Sequence, residues 1–348
     1  MASSRFRLAL IALAAPLMIV GAAKADAISD FYKGKQVFFV HSGGEGGGYA
    51  TYAQTFAPYM AKHIPGNPKV VVQSMPGAGG IRLMQFFGSV APKDGTYLGL
   101  VQSGASFVPL MGTAVGTIDP RKLNWIGAMS RVAAVCAAWS TSGIATFQDM
   151  LDKEFIVGAS GAGSLTETQP ALLNKLYGTK IKIVSGYHGA NDIYLAMERG
   201  ELGGRCGSGV QSMDISRPGW VSGGKVKIPI QFAVTRSSGL PDVPTAYELA
   251  KDDRVREVMK LVLAPVEMNR PLFTAPDVPK ERVEALRAAF HAAIEDPEFL
   301  QEARRARLEI EENRGENVAK IIAEAYRLPA DIVAVAKEAM TAQGAVNE

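Results

Sequence analysis

Residues 37–63 read VFFVHSGGEGGGYATYAQTFAPYMAKH, and this stretch decides the fold. Four consecutive apolar residues, Val37 to Val40, are typical of a strand that is buried on both faces. Five glycines follow between Gly43 and Gly48. Residues that share one face of a helix come next: Tyr49, Tyr52, Ala53, Phe56 and Met60. The stretch therefore predicts a strand, a glycine turn and an amphipathic helix.

The glycine turn is suited to bind an anion. Glycine lets the main chain itself approach a ligand, because no side chain stands in the way. The helix that follows begins with backbone N–H groups that have no partner inside the helix, and its dipole is positive at this end. Anions bind at such places. The sequence therefore predicts a binding turn at the carboxyl end of the first strand.

The same pattern recurs along the chain. Short apolar segments are each followed by small polar residues: 69–73, 97–101, 155–159 and 181–184. Strands that alternate with helices in this way predict a mostly parallel sheet with a ligand at its carboxyl edge. Because the pattern restarts after Trp125, we expect an α/β fold with two sheets flanked by helices. The facing edges of the two sheets would form a central cleft.

These patterns divide the chain into an N-terminal segment and two domains. Residues 1–25 have the features of a signal peptide, since a basic start precedes an apolar run that ends in Ala23-Lys24-Ala25. The alternative is a retained membrane anchor. The segment 69–73 is interpreted as a buried strand, and Val258–Pro265 as a strand that returns to the first domain. We therefore expect a first domain at 26–128 and 253–348, and a second at 129–252.

The net charge argues against one class of protein, and the two cysteines predict one cross-link. The whole chain has a formal net charge of +3, and removing residues 1–25 takes away Arg5, Arg7 and Lys24 but no acid, so the charge becomes 3 − 3 = 0. A neutral mature protein lacks the positive charge of a nucleic-acid binder. In an exported chain, Cys136 and Cys206 predict one disulfide, with two buried thiols as the alternative.

Motifs of enzymes are present only in part. The sequence GASGA at 158–162 resembles the nucleophile elbow of hydrolases, but Ala162 stands where the motif needs glycine. Tyr49 likewise occupies the third glycine position of a dinucleotide fingerprint. The four histidines are scattered and form no zinc-binding pair. We expect no enzymatic activity, no cofactor and no metal. A secreted serine hydrolase that uses Ser160 and His188 is the alternative.

Five segments, in order, resemble the extracytoplasmic solute receptors of tripartite tricarboxylate transporters, the TctC/Bug type. They are MPGAGG (75–80), APKDGTYLG (91–99), GYHGANDIYLAMERGEL (186–202), LPDVPT (240–245) and VPKERVEALRAAFHAAIEDPEF (278–299). The resemblance implies a two-domain type II periplasmic-binding fold in the periplasm. It also implies capture of a small carboxylate-bearing organic acid and delivery to the permease subunits of such a transporter. We expect a monomer. The alternative role is to present the bound acid to a membrane kinase.

The resemblance also implies a ligand-binding set at the matching turns. It comprises Ser42, Gly43, Gly44, Gly47, Gly48, Tyr49, Ser103, Ser164, Thr166, Tyr187, His188, Gly189, Asn191 and Asp192. Such receptors grip a carboxylate with backbone amides and hydroxyls rather than with an arginine. The chain departs from the family where an aspartate and an arginine are common, because those positions hold Ala50 and Gln54. For this reason we transfer no named acid.

Overall fold

The computed structural model describes residues 27–43, 48–77, 80–111, 118–159, 164–187 and 190–340, except the side chains of Ile215 and Met340. Contacts between residues divide the described chain into two compact units. The first lies within Met1–Ala105, Gly116–Met129 and Arg270–Ala319, and the second within Ser106–Val115, Ser130–Asn269 and Lys320–Glu348. The predicted domains differ from this division in three places, the first being Ser106–Val115, which belongs to the second unit. The chain returns to the first unit at Arg270, not at residue 253, and leaves it again after Ala319.

Strands and helices alternate along the described chain. The strands are β1 (Gln36–His41), β2 (Lys69–Ser74), β3 (Tyr97–Leu100), β4 (Asn124–Ser130), β5 (Ala134–Trp139), β6 (Phe155–Ala159), β7 (Ile181–Ser185), β8 (Gly204–Ser208), β9 (Val226–Phe232), β10 (Asn269–Thr274) and β11 (Asn313–Arg314). The α-helices are α1 (Gly48–His63), α2 (Ile81–Ser89), α3 (Phe147–Asp152), α4 (Leu165–Tyr177), α5 (Ala190–Glu198), α6 (Val210–Ser216), α7 (Asp253–Glu267), α8 (Lys280–Ile294), α9 (Pro297–Arg305), α10 (Gly315–Ala325) and α11 (Ala330–Met340). Short 3-10 helices cover Ser103–Phe107 and Pro120–Lys122.

The first unit is built on a sheet of strand order β11-β4-β10-β3-β1-β2. Strand β1 pairs in parallel with both β2 and β3, whereas β10 is antiparallel to β3. Successive side chains of a strand point to opposite faces. Phe39 of β1 therefore packs on one face against Phe56, which in turn contacts Phe290 and Phe299. These contacts hold α1, α8 and α9 against the sheet.

The second unit contains a sheet of order β7-β6-β8-β5-β9. Strand β6 is parallel to β7 and β8, while β5 is antiparallel to β8 and β9. Helix α5 contributes Ile193, Tyr194 and Met197 to a buried cluster with Trp220. A disulfide joins Cys136 of β5 to Cys206 of the adjacent β8. The α/β class with two sheets flanked by helices is thus as predicted, although antiparallel strands enter both sheets.

Two predicted strands turn out differently. Val258–Pro265 is not a strand but lies within helix α7, which begins where the Asp252 carboxylate accepts a hydrogen bond from the backbone N–H of Val255 at 2.8 Å. Its buried residues recur with a helical period, and β10 is the strand that returns to the first sheet. The segment 69–73 does form a strand, but β2 is the edge of its sheet and is only half-buried.

Among the described residues, no helix combines the length and apolar character needed to cross a bilayer.

Candidate functional site

The first binding turn begins where three parallel strands end. The backbone N–H of Ser42 donates to the Leu100 carbonyl at 2.9 Å, and its hydroxyl oxygen accepts from the backbone N–H of Gln102 at 3.1 Å. The Ser74 hydroxyl donates to the Gly43 carbonyl at 2.8 Å. Ser42 is only 2% exposed. These bonds hold the end of β1 against the ends of β2 and β3, so the turn starts from a rigid base.

Glycine is required at residue 43 by its contact with Tyr49. A Cβ atom placed on Gly43 would lie 2.6 Å from the Cβ of Tyr49, which is closer than side chains pack. The turn therefore brings the main chain directly onto the first turn of α1. The contact described here is with Tyr49, and approach of the main chain to a ligand stays a prediction.

Arg270 lies beside the start of α1, and the sequence analysis did not identify it. Its Nη2 atom is 3.6 Å from the position that a Cβ of Gly48 would occupy. Its guanidinium lies over the rings of Tyr49 and Tyr52, 4.2 Å and 4.9 Å from their centroids. Such cation–π contacts, together with the hydrogen bond from Arg270 to the Tyr49 side chain, fix the orientation of the guanidinium. The arrangement places a fixed positive charge at the amino end of a helix.

The strand order explains how Arg270 arrives there. Because β10 is antiparallel to β3, the start of β10 lies at the carboxyl end of β3, where the Val101 N–H donates to the Pro271 carbonyl at 3.2 Å. Arg270 has a φ of 59°, in the left-handed region that residues other than glycine seldom adopt. Strained residues of this kind occur preferentially at ligand-binding positions.

No acidic residue opposes this positive corner from the described first turn of α1. Ala50, at the position where the resemblance predicts an aspartate, is 1% exposed, and Gln54 is exposed one turn later. An aspartate at residue 50 would place a negative charge at the positive end of the helix dipole, and alanine does not.

Burial raises the pKa of the Tyr49 hydroxyl above its usual range, and hydrogen bonds from Arg270 and from the Ser103 backbone act in the opposite direction. Tyr49 is therefore neutral at physiological pH and can donate a hydrogen bond. Burial likewise raises the pKa of Glu309, while Arg270 lowers it. Ser103 of the predicted set thus meets Tyr49 through its main chain.

In the second unit, the predicted residues Ser164 and Thr166 lie at the start of α4. Their hydroxyl oxygens are 2.8 Å apart, and Thr166 is 5% exposed. The β8 main chain passes close to this helix end, because a Cβ on Gly207 would lie 2.7 Å from the Thr166 nitrogen. Gly207 has a φ of 81°. The structure thus brings together the α4 start and the Gly204–Ser208 strand.

The remaining described residues of the predicted set lie at the start of α5. The Tyr187 N–H donates to the Ala159 carbonyl at 3.2 Å, which joins the ends of β6 and β7. The Asn191 side-chain oxygen is 3.4 Å from Nη1 of Arg217, and Asp192 occupies the first turn. Gly44, Gly47, His188 and Gly189 lie outside the described residues, as does Ser160 of the hydrolase alternative.

Tyr194 of α5 has two guanidinium groups near its ring. The Arg205 and Arg217 groups are 5.1 Å and 5.5 Å from the centroid of its ring. Arg217 is partly exposed and pairs with Glu198 at 3.0 Å, whereas Arg205 of β8 is 9% exposed. The sequence analysis gave Arg205 no role, because its burial depends on the strand to which it belongs.

Three solved structures are similar to this chain in fold. A TctC solute-binding protein from Polaromonas has a TM-score of 0.70 and 19% identity, with 87% of this chain and 99% of that chain covered. MatC from Rhodopseudomonas palustris, with bound malate, has a TM-score of 0.53, 20% identity and coverage of 86% and 99%. A second R. palustris protein, solved with adipate, has a TM-score of 0.53, 18% identity and coverage of 87% and 97%.

Comparison with curated proteins gives no match. The family model described as "Tripartite tricarboxylate transporter family receptor", TctC, matches residues 53–335. This family and the fold of its members are those of solute-binding receptors rather than enzymes. The match spans most of the chain, including both units. The chain belongs to the TctC family of tripartite tricarboxylate transporter receptors, which are periplasmic carboxylate-binding proteins.

Proposed function

We propose that this protein captures a small organic acid in the periplasm by its carboxylate and delivers it to the permease subunits of a tripartite tricarboxylate transporter. The observation that carries the proposal is the position of Arg270 beside Gly48 and Tyr49 at the start of α1. Family membership supports the receptor role, and the structural relatives with malate and adipate support a carboxylate ligand.

The chemistry of a carboxylate fits this corner. Organic acids are ionised at neutral pH, with pKa values of about 4. The amino end of a helix and a guanidinium both favour a negative group, and the hydrogen bonds they donate to it are stronger than those between neutral groups. The neutral Tyr49 hydroxyl adds a donor. In this proposal, the carboxylate makes the bonds that the family's aspartate would make at residue 50.

The proposed ligand contacts in the second unit come from the turns that precede α4 and α5. Ser164 and Thr166 offer hydroxyls, and Tyr187, Asn191 and Asp192 offer polar groups at the second helix start. The glycines at 44, 47 and 189 and His188 remain part of the proposed set on the grounds of the sequence pattern alone. The same grounds support a signal peptide at residues 1–25, and the mature protein is proposed to act as a monomer.

Native mass spectrometry of the protein purified from the periplasm, without refolding, tests this function. We expect the protein to carry a small organic acid that is released on denaturation. A panel of mono-, di- and tricarboxylates and aromatic acids should then include one that raises the thermal midpoint, since a ligand at about 100 times its Kd stabilises by about 2.7 kcal/mol. If no acid is retained and none of the panel shifts the midpoint, the proposal is wrong.

A further inference from the structure

Arg205 is a buried charge whose hydrogen-bonding groups are not all used. The residue is 9% exposed, and its Nε and Nη1 atoms are buried without a hydrogen-bond partner among the described residues. A guanidinium carries five N–H donors and cannot easily give up its proton. Buried donors without partners are rare in native proteins and call for a specific explanation.

The surroundings of Arg205 compensate its charge only in part. Burial lowers the pKa of Arg205, and the described group that opposes this effect is Tyr194, through a hydrogen bond and its partial charge. No carboxylate of the described residues contributes to this balance. Tyr194 also faces Arg217 at 5.5 Å, so one aromatic ring is shared by two cations. Arg217 has its own carboxylate, Glu198.

Arg205 also lies on the strand that meets a predicted binding turn. Two residues further along β8, Gly207 has its main chain against Leu165 and Thr166 at the start of α4. Ser208 follows, and its hydroxyl oxygen is 3.4 Å from that of Tyr194. Arg205, Tyr194 and Ser208 therefore form a connected set of polar groups on and beside β8, the strand whose Gly207 meets the main chain at the start of α4.

We infer that Arg205 recognises a carboxylate of the transported acid, by donating hydrogen bonds from its unpartnered nitrogens to the ligand. A carboxylate offers only acceptors and a negative charge, which are the two things that the buried guanidinium lacks. The inference rests on the proposed function and deepens it. It adds a positively charged residue of the second unit to binding turns for which the sequence predicted backbone amides and hydroxyls.

Two matched variants test this role. Arg205→Met removes the charge and keeps most of the volume, and Arg217→Met does the same for the other guanidinium near the Tyr194 ring. The unliganded thermal midpoint and the Kd values for formate, malate, adipate and benzoate are measured for each. We expect Arg205→Met to weaken binding of the acids that the wild type binds by about tenfold or more, the loss of a charged hydrogen bond. Arg217→Met should change the Kd by less than about threefold.

The unliganded midpoint separates recognition from structural support. Removing a buried charge that has no counterion should leave the midpoint of Arg205→Met equal to or above that of Arg217→Met. A midpoint well below it would show that Arg205 supports the fold, and Arg205→Lys then separates this support from recognition. Unchanged affinity in a folded Arg205→Met would overturn the inference, while the proposed function stood. If the wild type binds no acid at all, the proposed function fails first.

If Arg205→Met does not fold, the conservative change Arg205→Lys tests whether Arg205 recognises the ligand. Lysine keeps the positive charge but not the planar set of donors. Affinity weaker than that of the wild type by about tenfold supports the inference, and affinity equal to that of the wild type contradicts it.

Discussion

The guanidinium of Arg270 lies 4.2 Å from the ring centroid of Tyr49, although the two residues come from opposite ends of the first unit's sequence. The contact combines a fixed cation with a neutral hydroxyl at the start of helix α1. The described first turn of this helix has no acidic residue, but Arg270 also interacts with the Glu309 carboxyl, whose pKa it lowers. We propose that a ligand carboxylate binds at this corner.

Arg270→Gln should weaken binding of the acid by about 10- to 100-fold, since a hydrogen bond to a charged group contributes about 1.5–3 kcal/mol. The matched control is Arg282→Gln. Arg282 also lies over an aromatic ring, with its guanidinium 3.5 Å from the centroid of Phe31, but Phe31 precedes the amino end of β1. Titration calorimetry should give the control a Kd for the acid close to that of the wild type. If Arg270→Gln binds the acid as tightly as the control does, Arg270 does not contact the ligand.

Gly207→Ala should destabilise the protein by more than Gly178→Ala. Both glycines have left-handed φ values, 81° and 80°, so both substitutions carry a backbone cost of about 1 kcal/mol. Only the Cβ of residue 207 would meet main-chain atoms, at 2.6 Å from the Leu165 carbonyl carbon, whereas nothing lies within 4 Å at residue 178. Urea denaturation measures the difference. Equal losses would mean that the close approach of β8 to α4 does not constrain the chain.

Protonation of the Asp296 carboxylate should make the protein less stable as the pH falls below about 4. Hydrogen bonds from Lys62 and then His63 hold the pKa of this carboxyl well below its usual range. A lowered pKa in the folded state means that the stabilisation is present above the unfolded pKa and is lost as the pH falls toward the folded one.

Asp296→Asn is the variant that tests this titration. Asparagine keeps an oxygen that can accept from the Glu298 N–H at the start of α9, a bond of 2.9 Å in the structure, but it cannot ionise. The variant should therefore be less stable than wild type at neutral pH and should lose less stability between about pH 5 and pH 2.5. If the free energy of unfolding falls equally with pH in the two proteins, the Asp296 charge does not contribute to stability.

The double variant Cys136→Ser/Cys206→Ser should lower the free energy of unfolding by about 4 kcal/mol in the chain-entropy description. The disulfide closes a loop of sequence separation 70, and its removal enlarges the unfolded ensemble. Binding of the acid should persist at temperatures where the variant is folded, because neither cysteine belongs to the proposed site. Loss of affinity in a folded variant would contradict this separation of stability from binding.

The sequence predicted the positions of most strands and helices, because local patterns determine them. The apolar run at Val37–Val40, the helical spacing from Tyr49 and the prolines at 279 and 297 each act within a few residues. The error at Val258–Pro265 has the same origin. A short apolar run fits a strand or a buried helix, and the Asp252 cap that decides between them lies outside the run.

The two arginines show what such patterns cannot provide. Arg270 reaches Tyr49 only because β10 lies antiparallel beside β3, and Arg205 is buried only because β8 is an interior strand. Pairings between distant strands are not encoded in the spacing of nearby residues. One signal was present for Arg205: an arginine within a glycine-rich strand, as in GRCGS, is seldom buried without a partner.

The central claim is tested most directly by calorimetric titration of the wild-type protein with two ligands, an acid that it binds and the amide of that acid. The two ligands share size and shape, but only the acid is negatively charged. We predict that the acid binds with one site per chain and that the amide binds weaker by at least about 100-fold, as expected when a charged partner is lost. Equal affinity for acid and amide would contradict recognition of a carboxylate.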